Sequence, residues 1–178
     1  MILSKNYFWR RTINPYLIAG ILIIAGLLQS TLAPFLRLRG VHPEWVVCVI
    51  LAWSFLRPFN QALGLAFAGG LVLDSLSAAP FGVFTVSLLA MAALAHFWHN
   101  RLSAGAFALP VLLALPYSVL FTLGALIMLW IFGYAVHWSA ALGRIAFLVG
   151  LVNVPVMALV FPLLRRLNRF SDEAALTI

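Results

Sequence analysis

The sequence predicts an all-α membrane protein, a polytopic bundle of about six transmembrane helices. Composition comes first: of 178 residues, 65% are hydrophobic and 8% charged, and mean hydropathy is +1.09. A soluble domain of this size carries about 25% charged residues, so this chain could not build a water-facing surface. Second, lipid forces every backbone polar group to be satisfied within the protein, which leaves helices or closed barrels. Third, the apolar stretches run on without the period-two alternation of barrel strands. Helices therefore win.

A helix needs about 20 apolar residues to cross the hydrocarbon core. Pro15 to Leu36 supplies the first span, closed by Arg37 and Arg39. The basic segment before it resembles a signal peptide's start. The apolar part is too long for one, and no small-x-small cleavage site precedes Gln29-Ser30-Thr31, so the helix reads as retained. Trp45 to Leu56 is apolar but short, about 18 Å at 1.5 Å per residue, between Glu44 and Arg57. Gln61 to Leu76 holds Asp74. Phe81 to Phe97 follows, closed by His99-Asn100-Arg101. Pro110 to Phe132 is a full span, and Ala141 to Leu164 is another, containing Pro155 and Pro162. The short second and third segments are either steep helices reaching the headgroups or a helical hairpin packed inside the bundle. The whole forms one transmembrane domain, 15–164, between a basic N-terminus, 1–14, and a tail, 165–178, that is basic and then polar and whose last stretch, 171–178, is expected to fray.

The net charge is +7, but the basic residues sit at chain ends and in short loops. That pattern sets topology and attracts anionic lipid; it excludes a nucleic-acid groove. With six spans, one side holds Lys5, Arg10, Arg11, Arg57, Arg101, Arg165, Arg166 and Arg169, and the other Arg37, Arg39 and Arg144. Both termini are thus expected in the cytoplasm. Arg10, Arg11, Arg57, Arg165 and Arg166 are expected to meet lipid or cytoplasmic partners. Cys48 is the single cysteine, which excludes a disulfide within the chain and zinc-type cysteine clusters and reads as a buried thiol.

Asp74 is the only acid between Glu44 and Asp172. Counting back in fours gives Gly70, Ala66 and Ala62, with Gly64 and Ala68 on a neighbouring ridge. Small residues at this spacing let helix backbones approach closely. Asp74 is then either a helix-end acid capping local backbone or snorkelling to headgroups, or a polar pin for a neighbouring helix. An ion or proton relay lacks a second buried acid. Gln29 and Asn153 are intramembrane polar residues, read as interhelical glue before ligand contacts. Pro155 breaks a backbone bond two residues after Asn153, which could satisfy a freed carbonyl or help line a cavity. His96 and His99 have a spacing compatible with a helical metal pair, without a carboxylate or cysteine nearby; no metal or cofactor is expected. Ser75 and Ser77 flank Asp74 without a Gly-x-Ser-x-Gly elbow, and no His-Glu-x-x-His motif is present, so no enzyme is expected.

Several pieces in order resemble the bacterial rod shape-determining MreD family: Leu28-Gln29 with Pro34, His42-Pro43-Glu44-Trp45, Leu56-Arg57-Pro58, and Gly70-Leu71-Val72-Leu73-Asp74-Ser75-Leu76-Ser77 followed by Phe81-Gly82. The last is similar to the family's Gly-Leu-x-x-Asp-Leu-x-Ser-Gly signature, with Ala78 in the glycine place and Ser75 in the leucine place. The resemblance covers roughly residues 15 to 100. It implies a noncatalytic inner-membrane component of the cell-elongation machinery, which builds peptidoglycan. Its partners would be MreC, a bitopic protein whose membrane helix docks on the bundle, together with MreB, RodA and a class-B penicillin-binding transpeptidase. It also implies a bundle similar to the substrate-binding subunits of energy-coupling-factor vitamin transporters. The expected partner interface is Ala62, Gly64, Ala66, Gly70, Asp74 and Gly82. Two other functions compete: a substrate-binding membrane subunit of a vitamin or metal transporter, and a lipid-modifying membrane enzyme.

Overall fold

A computed structural model describes residues 15–31, 35, 41–97, 107–138 and 146–174. Every regular element among them is a helix: α1 (Pro15–Thr31), α2 (Trp45–Leu56), α3 (Phe59–Leu76), α4 (Val83–His96), α5 (Ala108–Ile131) and α6 (Phe147–Ala174). Three are long and apolar enough to cross a membrane, Phe59–Leu76, Ala108–Ile131 and Phe147–Asn168; Gly20–Thr31, Trp45–Leu56 and Val83–His96 are shorter apolar helices. The sixth helix differs most from expectation. It runs past Leu164 through the basic run and the Ser171-Asp172-Glu173 stretch, so part of the tail expected to fray is helical. Arginine is a good helix former and its long stem can reach the headgroups from a helix, so nothing in that run ends the helix.

The short second segment is settled by burial. Every residue of α2 from Val46 to Phe55 is buried, and α2 touches each of the other five helices. A helix apolar on all faces belongs in a core, and WVVCVILAWSFL offers only Ser54 as a polar side chain. The Ser54 hydroxyl donates back to the Ile50 carbonyl at 2.8 Å. So α2 is the axle of the bundle, and its 12 residues do not have to meet water at both ends.

Around it, α3 and α4 form a tight hairpin, α4 packs on α5, and α5 pairs with α6. The hairpin loop ends at Gly82, whose φ of +102° lies in the left-handed region that favours glycine. The outward side chains are apolar as well, among them Ile23, Ile24, Leu27, Leu112 and Leu159, as expected where the solvent is lipid. Arg57 departs from the expected lipid or cytoplasmic contact. It is only 4% exposed, and its guanidinium stands 5.7 Å from the centre of the Trp53 ring. Arg165 is half-buried and Arg166 exposed, whereas Arg10 and Arg11 lie outside the described residues, as do Lys5, Arg37, Arg39, His99, Arg101 and Arg144.

Candidate functional site

The start of a helix leaves N–H groups with no intrahelical acceptor. In lipid no water meets them. Two helices of this bundle begin on side chains supplied by other helices, and these two nodes hold most of its interior polar chemistry.

The first node closes the start of α4. Asp74, 3% exposed, lies in the last turn of α3. Its Oδ2 accepts from the Gly82 N–H at 3.0 Å and the Thr85 N–H at 3.2 Å. Its Oδ1 accepts from the Phe84 N–H at 2.9 Å. The Thr85 hydroxyl also donates to Oδ2. A carboxylate at a helix N-terminus faces the positive end of the helix dipole. Asp74 is unfavourably placed at the C-terminal end of its own helix, and the start of α4 offsets this. The approach depends on Gly70, one turn earlier, where an added Cβ would lie 2.4 Å from the Thr85 Cα.

The second node closes the start of α2. The Asn153 Oδ1 accepts from the Glu44 N–H at 2.9 Å, and the Gln29 Oε1 accepts from the Val46 N–H at 3.1 Å. The Asn153 amide nitrogen donates to the Glu44 Oε2 at 3.3 Å and to the Ser118 hydroxyl at 2.9 Å. The Cys48 thiol donates to the Asn153 carbonyl at 3.7 Å. Four helices, α1, α2, α5 and α6, therefore meet at one point. Ser118 is the eleventh residue of the 24-residue α5 (Ala108–Ile131), so α2 starts level with the middle of α5. That depth is why α2 can be short.

Gln29 and Asn153 thus act as interhelical glue. The small-residue row is drawn into the chain's own packing: Ala62 and Ala66 are fully buried, Gly70 meets Thr85, and Asp74 holds α4. Of the three glycines in the expected interface, Gly64 and Gly82 have open space where a Cβ would stand and Gly70 has none. The physical reason is that a close-approach face serves the nearest helix first, and α4 follows six residues after α3 ends. Sequence reasoning gave no role to Thr85 or Ser118 and read Glu44 as a bracket of the second segment. A lone hydroxyl in an apolar run carries no signal of its partner.

Among the described residues no group of three or more His, Cys, Asp or Glu could hold a metal ion. His96 lies tilted against Phe59, ring centres 5.2 Å apart. Replacing Asn153 with leucine removes three interhelical bonds and is expected to lower stability by about 2 kcal/mol, at roughly 0.6 kcal/mol per bond in lipid. A lower thermal unfolding midpoint in detergent, with earlier maleimide labelling of the buried Cys48, measures it. An unchanged midpoint would deny the node its role.

The family model described as rod shape-determining protein MreD matches residues 10–167, well beyond the stretch on which the motifs were read. No match was found among curated proteins or among solved structures.

Proposed function

Since the chain belongs to the MreD family of rod shape-determining proteins, we propose that it is a noncatalytic inner-membrane scaffold of the cell-elongation machinery that docks the membrane helix of MreC. Both termini lie in the cytoplasm in this reading, and RodA, MreB and a class-B penicillin-binding transpeptidase complete the assembly. One observation carries it beyond the family. The interior polar side chains Asp74, Gln29 and Asn153 are engaged in closing helix starts, a use that builds a rigid body with fixed outer faces. A scaffold needs such faces.

The reading includes the expected likeness to substrate-binding subunits of energy-coupling-factor transporters, from which the rival vitamin or metal function arises. Depletion in the native bacterium separates the two. Cells are expected to round up under the microscope while their nutrient requirements stay the same, and MreC is expected to co-purify with the tagged chain. Rods that keep their shape but need one vitamin for growth would refute the scaffold. So would turnover of a lipid-linked substrate by the isolated protein.

A further inference from the structure

α5 ends in an ordered turn. The Phe132 N–H donates to the Met128 carbonyl at 3.0 Å, the Gly133 N–H to the Trp130 carbonyl at 3.0 Å and the Tyr134 N–H to the Leu129 carbonyl at 3.1 Å. Gly133 takes a φ of +86°, the left-handed conformation that closes many helices. Three carbonyls of the last turn, which a helix by itself leaves without a donor, are thus met by backbone alone. Beyond the turn the chain comes back on itself. The rings of Trp130 and Trp138 meet edge to face, centres 6.4 Å apart.

Between them the side chains face outward. Trp130, Ile131, Phe132 and Tyr134 are each more than half exposed, and His137 is exposed too. From 107 to 138 the sequence holds no Asp, Glu, Lys or Arg, so water is a poor solvent for this tip. Hydrocarbon is a poor one as well. The Trp130 and Trp138 indole N–H groups and the Tyr134 hydroxyl are donors, and none of the described residues accepts a hydrogen bond from them. Rings with an apolar body and a donor at one edge fit the headgroup level of a bilayer, where ester carbonyls and phosphates accept.

We propose that the Trp130–Trp138 turn is an interfacial anchor, seated among the headgroups of the leaflet in which α5 ends, with its indole and phenol donors bonding lipid ester carbonyls and phosphates. α5 gives the anchor a task. Its 24 residues span about 36 Å at 1.5 Å each, against a hydrocarbon core of about 30 Å. A helix longer than the core tilts, and anchors at its ends help to set the tilt. Because α5 carries Ser118 of the second node and packs on both α4 and α6, holding its end holds the depth of the bundle. A protein partner would have to bring three acceptors at fixed points, whereas mobile lipids bring one to each donor. The inference needs the membrane reading of the chain and is independent of which helix the bundle docks.

The test places the full chain in phosphatidylcholine vesicles with a fluorophore at one site. Cys48 is buried, so a maleimide dye labels Phe132→Cys or, as a mid-span reference, Phe67→Cys, the exposed ninth residue of the 18-residue α3. Nitroxide lipids carrying the quencher near the glycerol or near the acyl-chain end report depth. The shallow nitroxide is expected to quench position 132 more than the deep one, with the reverse at position 67. Stronger quenching of position 132 by the deep nitroxide overturns the proposal, as does quenching by aqueous iodide with neither lipid effective. Trp130→Phe, Tyr134→Phe and Trp138→Phe together keep the rings and remove the donors. Added to Phe132→Cys, they are expected to lower the shallow-to-deep quenching ratio toward that of position 67 while Cys48 stays closed to the dye. An unchanged ratio in that folded variant also overturns the anchor, and the single changes give the same comparison if the triple change opens Cys48.

Discussion

Asp74→Leu is expected to unfold the α3–α4 hairpin at a markedly lower temperature than the parent protein. Three N–H groups and one hydroxyl lose their acceptor together. Four bonds at roughly 0.6 kcal/mol each give about 2.4 kcal/mol, and the figure rises to about 4 kcal/mol if each buried unmet donor costs about 1 kcal/mol. Leucine has nearly the right size, so the loss reports hydrogen bonding more than volume. Asp74→Asn keeps one acceptor oxygen but turns an amide N–H toward a helix start, and should fall between the two. Thermal midpoints in one detergent, with labelling of Cys48 as a second readout, give the order. Equal midpoints for all three proteins would remove Asp74 from the account of the fold. A fall in MreC recovery with Asp74→Leu would carry the effect of a loosened bundle, since the carboxylate is buried against the start of α4.

Gly70→Leu is expected to be at least as damaging. The Cβ clash at 2.4 Å is with a backbone atom, Thr85 Cα, and no rotamer change relieves it. The helices must part, and Asp74, one turn along, is carried away from the donors it serves. The same substitution type graded along α3 makes the argument specific. At Gly64 an added Cβ meets nothing within 4 Å, and at Gly69 it meets the flexible tip of Ile50 at 2.5 Å. Alanine should therefore be nearly neutral at Gly64, tolerable at Gly69 and harmful at Gly70. Because Gly70 and Asp74 act on one interface, the double variant should lose less than the sum of the single losses. Additive losses, or Gly64→Ala ranking worst, would contradict the packing described.

Much of the architecture was legible in the chain. Trp45–Leu56 was bounded to the residue, because Glu44 and Arg57-Pro58 bracket an unbroken apolar run. The fourth segment was read as Phe81 to Phe97, and its helix, Val83–His96, starts two residues later because the chain still turns at Gly82, with φ of +102°. The end of α6 was misjudged because hydropathy marks where lipid ends, and a helix can continue into water. The meeting of Asn153 with Glu44 and Ser118 was not visible either, because it depends on how distant segments pair.

Composition and hydrophobic period alone determined that this is a membrane helix bundle, since lipid leaves only helices or closed barrels for the polar backbone and the apolar runs lack a barrel's period-two alternation. They also determined that Asp74, Gln29 and Asn153 would need partners, since polar groups in that solvent cannot stay unmet. Only the tertiary structure decided which partners they took. Helix ends, and the side chains that close them, meet across separations such as the 109 residues between Glu44 and Asn153, and local sequence holds no record of a distance set by packing.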